Sequence, residues 1–281
     1  MIDSSLPMER PLTLALVQME PILGDLPANL DRILALTQEA ASRGAGLIIF
    51  PELALTGYNP VLLGERLMRL SRTAQDEPIQ RLAREAGDEH VYLVFGFIER
   101  RTIPGVVYNS IAICGPDGSI LRTYAKSHLF SSENLFFRAG PSLETLKTNW
   151  GILGPMICMD IGYPEVARVL TLQGAELLIA PSCWIKEDED IWPVHLQARA
   201  LDSLAFVAGI NRVGAEGNLR FIGRSMIVDP RGHILHSLEE QEDMLIATID
   251  LADVSKARRR ALHWTGRRPE LYGQIADLTA N

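Results

Sequence analysis

Three residues of this sequence could together cleave a carbon-nitrogen bond, and each comes directly after a short apolar run. Cys158 could act as a nucleophile, Glu52 could transfer protons, and Lys126 could stabilise negative charge. Hydrolysis of an amide needs a nucleophile, a base that takes its proton, an acid that protonates the leaving amine, and donors to the oxyanion. We therefore expect the three side chains to meet at one site.

Position alone leaves other interpretations open for each residue. A free cysteine is often a small buried apolar residue, a glutamate beyond a strand can cap a turn, and a lysine there is usually a solvated surface charge. However, all three residues occur where a predicted strand ends, which is where an α/β fold collects its functional groups. The coincidence of all three residues supports the catalytic interpretation more strongly than any one of them does alone.

The neighbouring residues suggest how each group would be tuned. Cys158 precedes a helix predicted to open at Pro164, whose N-terminus would favour the thiolate, and the amide of Met159 could point at an oxyanion. Glu52 has apolar neighbours, and loss of solvation raises the pKa of a carboxyl, so Glu52 could both accept and return a proton near neutral pH. Glu133 could hydrogen-bond Lys126 or the substrate.

Hydrophobic periodicity and turn residues predict the elements that must position these groups. Strands are predicted at residues 12–19, 47–50, 91–98, 106–114, 120–124, 152–157, 176–180, 206–210 and 245–249. Helices are predicted at residues 27–43, 79–86, 164–174 and 194–203. Turn sequences at 115–118 and 229–232 indicate hairpins, so the sheets should be mixed. The pattern predicts a layered α/β architecture, with the strand order left open.

Composition limits the class of protein. The chain has 281 residues, 47% of them hydrophobic, and no linker-like segment, so we predict one domain over residues 1–281. Residues 1–10 could be disordered, and residues 255–281, which include five arginines, would lie on a solvated face or in a subunit contact. A net charge of -8 argues against binding to nucleic acid or an anionic membrane. The start of the chain has no leader-like pattern and no apolar run is long enough to span a membrane, so we expect a cytoplasmic protein.

Three segments resemble the signature sequences of the nitrilase superfamily of carbon-nitrogen hydrolases. They are FPE at 50–52, YAKSHLF at 124–130 followed by Glu133, and GPMICMD at 154–160 followed by YPE at 163–165. The resemblance implies a four-layer α-β-β-α sandwich, no cofactor, and homodimers or larger homo-oligomers that pack helices across a two-fold axis. It also implies Cys158 as nucleophile, Glu52 as base and acid, Lys126 as oxyanion stabiliser, and Glu133 as a supporting carboxylate.

The reaction implied is hydrolysis of a small aliphatic amide through a thioester on Cys158. Asp160, where enzymes acting on nitriles commonly have glutamate, favours an amide, whereas Met159 and Gly162 depart from residues common in the family. Nitrile hydrolysis and N-carbamoyl hydrolysis by the same triad remain alternatives. A further alternative is a catalytically silent binding or regulatory subunit, because a fold does not dictate activity.

Several other residues have weaker claims to a role. We treat Tyr58 and Trp184 as candidate walls of the substrate pocket, although aromatic residues there are more often part of the core. Cys183 could be a second reactive thiol or a packed one. A metal site at His233, with Asp229 and His236, lacks a further ligand at recognisable spacing, so no metal is expected. We expect His128 and His195 to be hydrogen-bonded structural residues.

Overall fold

Two six-stranded sheets packed face to face form the centre of the protein. The computed structural model describes residues 8–277. Side chains from the facing sides of both sheets share one apolar core, and helices cover the two outer faces. This arrangement confirms the predicted four-layer α-β-β-α sandwich.

The first sheet has the strand order β14-β1-β2-β3-β4-β5, and the second has the order β13-β12-β9-β8-β7-β6. Strands β1 to β3 run parallel, as do β7 to β9, and their outer neighbours are antiparallel. The strands are β1 Pro11–Gln18, β2 Leu47–Ile49, β3 Tyr92–Arg100, β4 Val107–Cys114, β5 Ile120–Ala125, β6 Leu146–Lys147, β7 Ile152–Pro155, β8 Leu177–Ser182, β9 Phe206–Asn211, β10 Val213–Glu216, β11 Leu219–Ile222, β12 Met226–Val228, β13 Ile234–Ser237 and β14 Asp243–Asp250.

The helices connect parallel strands or flank the site. They are α1 Leu26–Ser42, α2 Pro60–Leu63, α3 Arg66–Leu70, α4 Glu77–Asp88, α5 Pro164–Leu172, α6 Ile191–Ser203, α7 Ala252–Arg260 and α8 Leu262–Thr265. Helix α1 begins where predicted: Asp25 accepts a hydrogen bond from the backbone N–H of Ala28, and Pro27 lies in the first turn, where a proline N–H is not needed. Its buried face, which includes Leu30 and Ile33, packs into the core outside the first sheet.

The predicted hairpins and the β-α-β start are confirmed, but several details differ. Strand β7 ends at Pro155 rather than at residue 157, because the backbone N–H of Ile157 donates to the Asp160 carboxylate and turns the chain out of the sheet. The short helices α2, α3 and α8 and the hairpin of β10 with β11 were not predicted, because such short elements have little periodicity. Helix α7 was not predicted either, since charged residues make up most of its second half.

Of the arginines near the C-terminus, Arg259, Arg260 and Arg268 are exposed, in agreement with a solvated face, whereas Arg258 differs. Arg258 lies in the last turn of α7, and its guanidinium donates to the carbonyl oxygens of Ala175 and Leu204. This arginine therefore fastens α7 to the second sheet, and its cation is also well placed near a helix C-terminus.

The predicted disorder of residues 1–10 falls mostly on residues 1–7, which lie outside the described residues. Arg10 pairs with Glu176 at 2.7 Å and donates its backbone N–H to Asp250. Between residues 8 and 277, no helix is both long and apolar enough to cross a membrane.

Candidate active site

The three residues singled out in the sequence follow three strand ends that converge at one edge of the sandwich. Glu52 follows β2, Lys126 directly follows β5, and Cys158 follows β7. Strands β2 and β5 belong to the first sheet and β7 belongs to the second. The site is therefore assembled across the boundary between the two sheets.

Tight backbone turns hold two of these residues. Cys158 itself has a φ of 44°, and Leu53, the residue after Glu52, has a φ of 48°. Left-handed backbone is uncommon for residues other than glycine and costs on the order of 1 kcal/mol or more, so it persists where the surroundings enforce it. At the Glu52 turn the neighbouring strand is shaped to fit, since a Cβ on Gly96 would lie only 2.1 Å from the Leu53 nitrogen.

A buried cluster of charges forms the base of the site. The Lys126 ammonium donates to Glu52 Oε1 at 2.8 Å and to Glu133 Oε1 at 2.9 Å. The side chain of Lys126 and that of Glu52 are fully buried, and that of Glu133 is 1% exposed. Because the ammonium is shared between two carboxylates, neither carboxylate lies in the apolar interior without a partner.

Asn109, in the middle of β4, completes this cluster and was not identified from the sequence. Its Nδ2 donates to Glu52 Oε1 at 2.6 Å and contacts Glu133 Oε1 at 3.4 Å. The backbone N–H of Cys183 donates to the other oxygen of Glu52 at 2.8 Å. The available signal was an asparagine inside the apolar run of β4, since a buried amide must find partners.

These surroundings set the proton affinities of the site. Burial raises the pKa of Glu52; the Lys126 ammonium and the Asn109 hydrogen bond oppose this rise, while the Glu133 charge adds to it. Burial and the nearby Glu52 carboxylate raise the pKa of the Cys158 thiol, and Lys126 opposes them. Burial alone would lower the pKa of Lys126, but Glu133 and Glu52 outweigh it and hold the pKa well above its ordinary value.

The loop that carries Cys158 is fastened by Asp160. Its carboxylate accepts hydrogen bonds from the Tyr124 hydroxyl and from the backbone N–H groups of His128 and Ile157. The His128 ring contacts Asp160 through Nδ1 at 2.9 Å and stacks on Tyr163. Asp160 therefore ties the segment after β5 to the segment after β7, and His128 has the structural position expected of it.

Cys158 opens into a cavity of about 130 Å³. The cavity wall is largely apolar and includes Phe130, Met159, Trp184, Ile185 and Ile191, together with Cys183, Asp188 and His195. Met159 and Trp184 thus lie where the sequence analysis placed them, and their contact with substrate stays a prediction. Asp188 and His195 were not assigned to the pocket, because Asp188 lies in a charged 3-10 turn and His195 lies within α6, and neither segment has a local sequence signal for a pocket.

Tyr58 lies in a neighbouring cavity of about 320 Å³, which shares Phe130 and Ile185 with the first. The Tyr58 ring packs edge-on against Phe221, and the Tyr58 backbone N–H donates to Glu216. These contacts hold Tyr58 in the neighbouring cavity. Burial and the Glu133 charge raise the pKa of Tyr58 well above its ordinary value. Tyr58 is thus close to the charged cluster but outside the cavity of Cys158.

Cys183 and the hairpin histidines also have defined positions. The Cys183 thiol donates to the Glu52 carbonyl oxygen at 3.3 Å, and burial raises the pKa of this thiol well above its ordinary value. His233 contacts Asp229 through Nδ1 within the hairpin of β12 and β13. Over residues 8–277, no group of three or more His, Cys, Asp or Glu side chains is arranged to hold a metal ion.

Comparison with known proteins places this arrangement within a class of hydrolases. Residues 13–259 match the sequence model of the family described as carbon-nitrogen hydrolase. A probable nitrilase of Schizosaccharomyces pombe is 32% identical over 268 residues, covering 93% of this chain and 97% of that protein.

Solved structures agree with this class. A carbon-nitrogen hydrolase from Helicobacter pylori G27 has a TM-score of 0.85 at 26% identity and covers 95% of this chain and 99% of its own. A mutant amidase from Nesterenkonia sp. AN1 has a TM-score of 0.83 at 27% identity, and the match covers 95% of this chain and 98% of the amidase chain. The chain belongs to the carbon-nitrogen hydrolase family, and it is an amidase-like hydrolase of the nitrilase superfamily.

Proposed function

We propose that the protein hydrolyses a small aliphatic amide to a carboxylic acid and ammonia, with Cys158 as the nucleophile. The observation that carries this proposal is that the Cys158 thiol lies at the end of a small cavity beside a buried carboxylate cluster. Glu52, whose charge acts on that thiol, is held on both oxygens by Lys126, Asn109 and the Cys183 N–H. A fixed base beside a thiol is the arrangement that activates a nucleophilic cysteine.

In the first half of the reaction, Glu52 takes the thiol proton and the sulfur of Cys158 attacks the carbonyl carbon. The Lys126 ammonium has three N–H groups, of which two point to Glu52 and Glu133; we assign the third to the oxyanion, with the Met159 amide as a second donor. The carbon-nitrogen bond then breaks as Glu52 returns the proton to the leaving ammonia. A thioester remains on Cys158.

In the second half, a water molecule replaces the ammonia. Glu52 takes a proton from the water, whose oxygen attacks the thioester carbon through a second oxyanion in the same position. The carbon-sulfur bond breaks, the acid leaves, and the proton returns to the sulfur. Glu133 holds Lys126 in place during both halves, and its charge keeps the Lys126 ammonium protonated.

A modified relative supports a nucleophilic cysteine. In a mutant of the Nesterenkonia amidase, the acetamide moiety of fluoroacetamide is added covalently at the active site cysteine, so the sulfur of that cysteine attacks carbon. Carried over to this chain, the corresponding residue is Cys158. A nitrile substrate is the second candidate, because the relative from Schizosaccharomyces pombe is named a probable nitrilase.

Ammonia release from butyramide, butyronitrile and an N-carbamoyl amine of similar size tests the proposed function. We expect butyramide to be the preferred substrate, and preferential turnover of the nitrile would replace the amidase assignment. Intact-mass spectrometry of acid-quenched reactions should detect a butyryl group on Cys158.

Variants at two cysteines separate catalysis from structure. Cys158→Ala should abolish ammonia release and the butyryl adduct. The matched control is Cys114→Ala, because Cys114 is a buried thiol at the end of β4 with a pKa of about 12 and is not part of the charged cluster. Unchanged turnover in Cys158→Ala would refute the catalytic assignment.

A further inference from the structure

The cavity next to Cys158 is small enough to restrict the acyl group of a substrate. Its volume of about 130 Å³ is roughly ten times the space that one water molecule needs on the same measure, which suits a short acyl chain. Apolar side chains from Phe130, Met159 and Ile185 cover much of its wall. An acyl chain the size of a butyryl or isovaleryl group therefore fits it.

The charge on the cavity wall is unevenly distributed. Among the described residues that line it, Asp188 carries a carboxylate and none is a lysine or an arginine. The Asp188 carboxylate acts on the His195 ring, so the two side chains, which both line the cavity, lie near each other. The backbone carbonyl of Asp188 accepts the indole N–H of Trp184 at 2.7 Å, which fixes this residue at the cavity.

The Lys126 ammonium near Cys158 is paired with both Glu52 and Glu133, and the other neighbouring cations among the described residues do not line the cavity. Lys186 pairs with Glu189 and Glu240 on the protein surface. Arg199, one helical turn beyond His195, lies 3.7 Å from Asp202. Burial lowers the pKa of His195, and the Arg199 charge lowers it further, so this ring is neutral at neutral pH and does not offset Asp188.

We propose that Asp188 selects the substrate by charge: short uncharged or cationic acyl groups are favoured, and acyl groups that carry a carboxylate are disfavoured. This inference rests on the function proposed above, because the acyl group must lie in the cavity next to Cys158. Asp188 is then a specificity-determining residue that takes no part in bond breaking.

The size of the effect follows from Coulomb's law. Two like charges roughly 8 Å apart at an effective dielectric constant of about 20 repel each other enough to change an equilibrium about 30-fold. Asp188 is partly exposed, and solvent and salt reduce this value. We therefore expect about tenfold discrimination against a carboxylate at low ionic strength.

Pairs of amides with the same shape and different charge test the proposal. Malonamate has the shape of isovaleramide with a carboxylate at its end, and β-alaninamide has the shape of butyramide with an ammonium. In the wild-type enzyme, kcat/KM for malonamate should be about tenfold or more below that for isovaleramide, whereas β-alaninamide should be at least as good as butyramide. Asp188→Asn should raise the malonamate to isovaleramide ratio severalfold.

The control is Glu187→Gln, which removes the same charge from the adjacent exposed residue outside the cavity wall and should leave the ratio within twofold. Equal ratios in wild type and Asp188→Asn, or an equal rise in Glu187→Gln, would overturn the inference.

Binding of the same amides to Cys158→Ala, measured by calorimetry, separates this inference from the proposed function. If the wild type hydrolyses none of these amides, the amidase proposal fails. The charge selection still stands if Cys158→Ala binds isovaleramide more tightly than malonamate and if adding Asp188→Asn to Cys158→Ala removes that difference. Absence of any such difference in both turnover and binding overturns the charge selection itself.

Discussion

Replacement of Lys126 by methionine isolates the contribution of the buried cation to stability. Methionine fills a similar volume but leaves Glu52 and Glu133 facing each other in the interior without the ammonium that both now contact. Removal of one partner from a buried ion pair costs about 3–5 kcal/mol. For Lys126→Met we therefore expect a loss of that size in the free energy of unfolding near neutral pH.

The loss should depend on pH with a definite sign. Burial raises the folded-state pKa of Glu52 and the Lys126 ammonium lowers it, so removal of the ammonium raises that pKa further. A carboxyl with a raised folded-state pKa stabilises the fold fully below its unfolded-state value, and that stability is lost as the pH rises through the folded-state pKa. The penalty of Lys126→Met should thus be greatest above the folded-state pKa of Glu52 and should shrink as the pH falls toward the pKa of an unfolded glutamate, by up to about 1.4 kcal/mol per pH unit for one carboxyl.

Urea denaturation of the wild type and the variant across this pH range measures the penalty. Lys186→Met is the matched control, because Lys186 also bridges two carboxylates, those of Glu189 and Glu240, but its side chain is 43% exposed. Solvent screens that surface cluster, so the control should change the unfolding midpoint little. An equal loss in both variants, or a Lys126→Met penalty that does not change with pH, would refute the electrostatic reasoning.

Three further predictions concern the active site. Asn109→Leu should lower kcat by about 10- to 100-fold, since a hydrogen bond to a charged group contributes about 1.5–3 kcal/mol. Because Asn109 lowers the pKa of Glu52, the substitution should also move the acid limb of the pH–rate profile to higher pH. A loss of rate without that movement would indicate a purely structural role for Asn109. In the wild type, kcat/KM should fall as the pH falls through the pKa of Glu52, which is raised above the pKa of 4.5 of an ordinary glutamate. If kcat/KM were still independent of pH at pH 4.5, Glu52 would be excluded as the base. Iodoacetamide should label Cys158 in the folded protein and leave Cys114 unlabelled until urea unfolds the chain. Peptide mapping measures both reactions, and labelling of Cys114 before Cys158 would contradict the burial of Cys114.

The sequence was informative about groups at strand ends and uninformative about groups brought in from elsewhere. Glu52, Lys126 and Cys158 each follow a recognisable apolar run, so their convergence could be expected from the layered fold. Asn109 lies within a strand, and the sequence does not distinguish an asparagine with a role in the site from any other polar residue in an apolar run. Asp188 reaches the cavity only because a loop beyond β8 folds over it, and such placement depends on tertiary packing rather than on local pattern.

The fold shows the same division. Most strands and helices of eight or more residues were predicted, as for β1 and α1, because their periodicity extends over several turns or pleats. Helix α7, with nine residues, was not predicted. The strand order was not predictable, since it depends on which apolar faces pack best against one another. The pairing of β1 with β14, which joins segments more than 200 residues apart, has no local signal in the sequence.

The division of the site between the two sheets makes catalytic rate a measure of how the whole sandwich is aligned. Glu52 and Lys126 are carried by one sheet and Cys158 by the other, so a slip of one sheet over the other changes the position of the proposed nucleophile relative to the proposed base. A misplacement of about 1 Å can reduce a rate about 100-fold. Substitutions in the apolar layer between the sheets, far from any substrate, can therefore be selected or rejected through activity before they alter stability noticeably. Residues from both halves of the chain are therefore needed to complete the proposed site.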